Sequence, residues 1–378
     1  LKYVNHFDDH MKIARTYLDH NATSPLRPEA KAAMLAALDM PANASSVHAE
    51  GRAGRQVLQR AREQVARLVD AEPAWISFTS GATEANNQVL RHAGPKLVSA
   101  IEHPSVLEMP GVDIVPVLPS GVIDLAALES MLAGTAKALV SLMLVNNETG
   151  IVQPVAAAAR LAHHYGALIH SDAVQAAGRL PVSVKQLGVD YLTLSSHKIG
   201  GPQGVGALVA ACGAPLQPLL CGGRQENRQR AGTENVAGIA GFGAAAGAAL
   251  AGLGDYARLA GLRDRLEQQL QATAPALVIF GQSTPRAANT TLLACPGLGA
   301  ETQLMALDLA GIAVSSGAAC SSGKVEPSSV LTAMGIAPDL AKSAIRISLG
   351  WNTTEEDVAR FVVSWQELYH RHQHNKAA

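Results

Sequence analysis

Between residues 75 and 194 the chain repeats one theme: a short apolar run, then an alanine-rich stretch long enough for a helix. The runs fall at 75–78, 96–100, 138–144, 167–169 and 191–194. Strands that alternate with helices build a mostly parallel sheet, because each helix carries the chain back to the edge where the previous strand began. The expected fold is therefore α/β, and ligands of such sheets bind outside the carboxyl ends of the strands. A charged helical stretch over 256–272 leads into a second strand set around 277–279, 288–293 and 345–349, which predicts a smaller α/β domain. With 378 residues, 48% of them hydrophobic, two domains can each bury a core. The expected division is an extension over 1–16, a large domain over 17–252 and a small one over 253–378.

Chemistry gathers where the runs end. Ser195-Ser-His-Lys198 follows the run at 191–194 and precedes a glycine-rich turn. It offers an amine beside hydroxyl and imidazole donors, a set that suits pyridoxal phosphate: an aldehyde for Lys198, a phosphate for Ser195 and His197. A lysine that bonds to an aldehyde needs a partly desolvated site to lose its proton near neutral pH. The competing reading of any single lysine is a solvated surface charge.

Asp172, in His170-Ser-Asp-Ala-Val-Gln175, stands at the end of the run at 167–169, well placed to pair with a pyridinium nitrogen. Gln175 on the same turn could reach the ring's phenolic oxygen. Taken alone, Asp172 reads equally as a helix N-cap. The run at 75–78 passes into Thr79-Ser-Gly-Ala-Thr83, a small-residue turn before a helix, which presents free N–H groups and a helix dipole to a phosphate. Ala82 and Thr83 are the expected donors. A P-loop lysine and a dinucleotide glycine pattern are both missing, and a plain strand-to-helix turn is the alternative.

Eight motifs then occur in one order: Phe78-Thr-Ser-Gly-Ala-Thr-Glu84, Glu102-His103, Asn146-Asn-Glu-Thr-Gly150, His170-Ser-Asp-Ala-Val-Gln175, Ser195-Ser-His-Lys198, Arg230-Ala-Gly-Thr-Glu-Asn235, Ser315-Ser-Gly-Ala-Ala-Cys320 and Ile345-Arg-Ile-Ser-Leu-Gly350. From about Tyr17 to its end the chain resembles the cysteine desulfurases, within the class V aminotransferase-like enzymes of PLP fold type I. The resemblance implies that Lys198 holds the cofactor and moves the Cα proton, that His103 stacks on the ring and shuttles protons, and that Asn147 and Arg346 bind the substrate carboxylate. It also assigns Asn147 a cofactor contact, and Ala82, Thr83, Ser195 and His197 the phosphate. Thr233 would reach the phosphate of a neighbouring subunit, implying a homodimer with shared active sites. The implied reaction turns L-cysteine into L-alanine and leaves a persulfide on Cys320, which passes sulfur to an iron-sulfur scaffold or another acceptor protein. A selenocysteine lyase or another class V enzyme is the alternative. At Arg224 and Arg228 the chain departs from the resemblance, which favours glycine there.

Cys320 has the surroundings for that role, since small residues give it little to pack against and its thiolate would be free to attack sulfur. Cys212 and Cys295, among apolar neighbours, read as core residues. The four cysteines have no paired C-x-x-C spacing, so neither a disulfide framework nor a zinc site is expected, and a cytoplasmic setting follows. A formal net charge of -1 and the lack of a basic run argue against nucleic acid. The Ala/Gly-rich stretch at 237–253 is uncharged but reads as a buried helix, not a membrane span.

Overall fold

The computed structural model describes residues 15–41, 43–211, 213–316 and 328–377. Its strands, in chain order, are β1 (Thr16–Tyr17), β2 (Ile76–Thr79), β3 (Lys96–Ser99), β4 (Val112–Val115), β5 (Leu139–Ser141), β6 (Leu168–Asp172), β7 (Tyr191–Ser195), β8 (Gly206–Ala210), β9 (Val278–Ile279), β10 (Thr290–Ala294), β11 (Ile312–Ala313) and β12 (Ala344–Ser348). A seven-stranded sheet has the order β2-β8-β7-β6-β5-β3-β4. All its neighbours pair parallel except β8, which runs antiparallel to both β7 and β2.

The apolar runs form strands because helices cover both faces. β2, β5, β7 and β8 are buried at every position, so alternation with polar residues is absent. The sequence pattern omits β4 and β8. β4 is an edge strand with Asp113 and Ile114 exposed, which weakens its apolar signal. β8 is a small-residue strand directly after the glycine turn and reads as part of it.

The Ala/Gly-rich helix Val236–Ala251 packs against Pro28–Leu38 and Ala49–Leu68. Its glycines permit the approach: a Cβ on Gly243 would lie 2.6 Å from Ala61 Cα, and one on Gly241 2.6 Å from Met34 Cγ. Among the described residues no single helix is long and apolar enough to cross a membrane. The charged stretch expected as one helix over 256–272 is two, Leu253–Ala257 and Leu259–Thr273, separated at Arg258.

A second sheet, β12-β10-β9, is antiparallel and supports its own core with Trp365 and Phe361 of the helix Glu355–Ala377. Leu18 belongs to that second core, although sequence order groups it with the large sheet. β1 pairs with β11, and Asp19 bridges to Ser348, because a two-residue strand can be buried only beside the partner that completes it. From β1 in the smaller unit the chain thus crosses over just before the helix Pro28–Leu38. That crossing carries Asp19, His20 and Asn21 along the seam between the two sheets.

Candidate active site

Asp172 ends β6 and Ser195 ends β7, on adjacent parallel strands. A short 3-10 turn, Ser196–Lys198, then brings Lys198 back towards the crossing segment. Its Nζ donates to the carbonyls of Asn21 at 2.6 Å and Ala22 at 2.8 Å. Burial lowers the Lys198 pKa to about 7; the cations Arg179 and Arg346 push the same way, while Asp172 and Asp19 oppose them. The amine is therefore largely able to act as a base or nucleophile near neutral pH.

Arg179 is the hidden member of this group. It is buried, and its guanidinium reaches Asn21 Oδ1 and Gln175 Oε1, both at 2.5 Å, and the carbonyls of His20 at 3.0 Å and Lys198 at 3.3 Å. No carboxylate lies within ion-pair distance of it among the described residues, and after burial it is the largest influence holding the Lys198 pKa down. Sequence reading passed over Arg179, Asp19 and Asn21. The available signal was Asp19-His-Asn-Ala-Thr23, a polar run set directly after the buried Leu18. The Gln175 amide nitrogen donates one of its two hydrogens to Asn21 O at 3.0 Å.

Asp172 accepts from Asn86 Nδ2 and from the backbone N–H of Val174, each at 2.9 Å. It is only 6% exposed and meets no cation at ion-pair distance among the described residues. A buried carboxylate in that state suits a positively charged partner. Asn86 belongs to the helix Ala82–Val89, which ties this carboxylate to the turn at its start.

That turn is shaped by a row across three strands, Thr79 beside Gly206 beside Ser195. A Cβ on Gly206 would stand 2.7 Å from Gly81 Cα, so only glycine permits the close approach, whereas a Cβ on Gly81 would meet nothing within 4 Å. The N-terminus of the helix, with Ala82 and Thr83, faces this open space. The hydroxyls of Thr83 and Ser195 make no hydrogen bond among the described residues. His197 Nδ1 is 3.1 Å from Thr23 Oγ1, and burial, with Lys198 and Arg179 nearby, lowers its pKa to about 4. A neutral imidazole, two free hydroxyls and helix N–H groups form an anion cradle.

His103 follows β3 and caps the helix Pro104–Leu107, its Nδ1 accepting from Ser105 N at 3.1 Å. That bond requires an unprotonated Nδ1, which leaves Nε2 to carry the proton. Its pKa is lowered, by desolvation first and by Lys198, against Asp172. Arg346, in β12, approaches from the second core and is 4% exposed. It donates from Nη1 to Asn147 O at 2.9 Å and pairs through Nη2 with Asp19 at 2.7 Å, while its Nε has no partner among the described residues. Asn147 lies half-buried in the turn after β5, its side-chain amide unengaged among the described residues.

Lys198, Asp172, His103, Asn147, Arg346, Ser195, His197 and the turn at Ala82 and Thr83 thus lie along the carboxyl edge of the large sheet and its seam with the second. Thr233 is exposed in the loop before the helix Val236–Ala251, with no hydrogen bond to them. Cys320 and Cys212 lie outside the described residues; Cys295 is buried in the second core and Cys221 is exposed.

The family model of the class-V aminotransferases matches residues 16–361. A cysteine desulfurase of Cereibacter sphaeroides is 45% identical over 368 residues, covering 93% of this chain and 94% of the relative. One from Klebsiella pneumoniae is 40% identical over 95% of this chain and 94% of its own length. Among solved structures, a NifS-like protein from Rickettsia africae superposes with a TM-score of 0.88 at 36% identity, covering 94% of this chain and 99% of that one.

Proposed function

The chain belongs to the class-V aminotransferase family, among its cysteine desulfurases, and on that premise we propose that its site binds pyridoxal phosphate and transfers the sulfur of L-cysteine to Cys320. The relatives support this activity and not the selenocysteine lyase alternative. The observation that carries the reading is the pairing of Lys198, its amine brought to about pH 7, with Asp172, a buried carboxylate lacking a cation, at the ends of neighbouring strands.

The residues fit the cofactor. Lys198 would bond to its aldehyde, Asp172 would face its ring nitrogen, and Ala82, Thr83, Ser195 and His197 would take its phosphate in the open space beside Gly81. When bound, pyridoxal phosphate acts as an electron sink that acidifies the substrate's Cα–H. Lys198 is suited to take that proton at Nζ, being neutral in about half the molecules at pH 7 and held within reach by two carbonyls. His103, with its proton on Nε2, would give and take protons from the opposite side. Arg346 would exchange its bond with the Asn147 carbonyl for the substrate carboxylate, its guanidinium offering two parallel donors, and the free Asn147 amide would add another.

Cys320 completes the stoichiometry. Its thiolate forms an S–S bond with the substrate sulfur as the Cβ–S bond breaks, and protonation of the remaining three-carbon unit yields L-alanine. No external oxidant is needed, because one C–S bond and the S–H bond of the Cys320 thiol are exchanged for one S–S bond and one C–H bond. The persulfide then passes by thiol exchange to an acceptor protein of iron-sulfur cluster assembly. The proposed assembly is a homodimer, with Thr233 of each chain completing the other's phosphate site, in the cytoplasm.

Incubation of the yellow protein with L-cysteine and a thiol should release alanine and sulfide in equal amounts. The Cys320→Ser protein should stay yellow and form no persulfide. A persulfide that maps by mass spectrometry to Cys221 and survives in that variant would overturn the role of Cys320.

A further inference from the structure

Beside the anion cradle, Gln225–Arg228 turns through three successive left-handed residues, Glu226 (φ 44), Asn227 (φ 55) and Arg228 (φ 68), none of them glycine. Side chains of L-residues avoid that region, so the segment must be held from outside. Glu226 is the holding point. Its carboxylate receives Arg62 Nη1 at 2.8 Å and Nη2 at 2.9 Å, and it also accepts the backbone N–H of Phe78 at 2.9 Å.

Phe78 lies in β2, an edge strand of the large sheet. The outward backbone groups of an edge strand have no neighbouring strand to pair with. Here Glu226 accepts from Phe78 N–H while Arg62 donates to Ile76 O, so the ion pair completes the edge as a further strand would. β2 ends at Thr79, and Ser80 and Gly81 lead directly into the helix Ala82–Val89. The same segment continues to that helix: Gln88 Nε2 donates to Gln229 O, and Arg230 pairs with Glu84, whose carboxylate also accepts the Ser80 N–H at 2.8 Å. The cradle is therefore clasped from the strand before it and from the helix after it.

A buried ion pair seldom adds stability over apolar residues of the same size. What apolar residues cannot offer is an acceptor for Phe78 N–H and a donor for Ile76 O at fixed positions, three and five residues ahead of Gly81. We propose that Glu226, with Arg62, is a positioning residue for phosphate recognition: it sets the place of the N–H groups at Gly81–Thr83 that receive the cofactor's phosphate. This rests on the reading of that turn as the phosphate site.

The test compares pyridoxal phosphate with pyridoxal, which keeps the ring and aldehyde and lacks the phosphate, on the full chain freed of cofactor. Equilibrium binding is followed by the absorbance of the bound chromophore, and each variant's melting temperature is recorded. Glu226→Ala should weaken pyridoxal phosphate about tenfold or more and leave pyridoxal within about twofold, so the preference for the phosphate shrinks. If Glu226→Ala does not fold, Arg62→Met combined with Glu226→Met leaves no unpaired buried charge, and the same change in preference is expected. A variant that weakens both ligands equally, or leaves both unchanged, overturns the positioning role. A parent protein that binds both ligands equally well overturns the phosphate site itself, which distinguishes that failure from this one.

Discussion

The lysine side and the carboxylate side of the site are built in different ways. Lys198, Asp172, Ser195 and the cradle at Ala82 and Thr83 all stand on ends of one sheet whose strands are buried on both faces. Arg346 comes from the antiparallel sheet of the second core, and its contacts, Asn147 O and Asp19, reach across the seam. The first side is positioned by a ladder of backbone bonds, which tolerates little displacement. The Arg346 backbone has a ladder of its own in the second sheet, but its guanidinium rests on two contacts across the seam that a competing carboxylate can replace. A covalent cofactor needs the fixed side, and an amino acid that must enter and leave needs the exchangeable one.

The comparison breaks most severely at Lys198. Lys198→Ala should abolish the borohydride-reducible link to the cofactor and lower turnover by about a thousandfold or more, because the variant loses both the attachment point and the base. Retention of a reducible lysine adduct at the site would place the fixed side elsewhere.

On the exchangeable side, Arg346→Ala should raise KM for L-cysteine about tenfold to a hundredfold, the cost of one charge-assisted pair, with a smaller effect on kcat. Spectral titration with L-cysteine measures it. An unchanged affinity would mean that the substrate carboxylate is bound by something other than the second core.

A pH series sharpens the contrast, because burial has depressed groups on the lysine side. Lys198 has an ordinary value of 10.5 and a folded value of about 7, so between those values the unfolded chain binds a proton that the folded chain refuses. The cofactor-free protein should therefore lose stability as pH falls from about 10.5 to about 7, and Lys198→Met should flatten that part of the curve. Below it, His20 at about 3 and His170 and His197 at about 4 act in the same sense, while Glu102, raised by burial to about 8, and Glu148, also raised, oppose them; with three histidines against two carboxyls, stability should fall further from about pH 6.5 towards 4 in both proteins. Denaturant midpoints across the series would reveal the difference; identical slopes for the parent and Lys198→Met would show that the amine is not desolvated.

The smallest effect concerns the buttress of the cradle. Arg228 holds φ 68, in the left-handed region that favours glycine. Arg228→Gly should stabilise the protein by about 0.5 kcal/mol, since relief of roughly 1 kcal/mol of left-handed strain is partly offset by the greater freedom of glycine in the unfolded chain. A shift of the urea midpoint to lower concentration would show that the Arg228 side chain makes a contact worth more than the strain.

What could be read from the chain alone follows this same division. The parallel strands were legible because buried strands are written as contiguous apolar runs, and the residues at their ends, Asp172, Ser195 and Lys198, are local in sequence to the strands that carry them. β4 escaped because an edge strand needs fewer apolar residues, and β8 because glycine and alanine carry little strand signal. Arg346, Asn147 and His103 came from the family resemblance, since nothing in their own neighbourhoods distinguishes them from other polar residues after strands.

Asp19, Asn21 and Arg179 became visible only in three dimensions. A sequence separation of 158 between Asn21 and Arg179 is closed by a buried hydrogen bond, and one of 327 between Asp19 and Arg346 by an ion pair. Secondary structure depends on neighbours one to four positions away and is therefore written locally in the chain. The pKa of Lys198 depends on which distant charges the fold brings beside it and how much water it removes, and those are properties of the packed molecule.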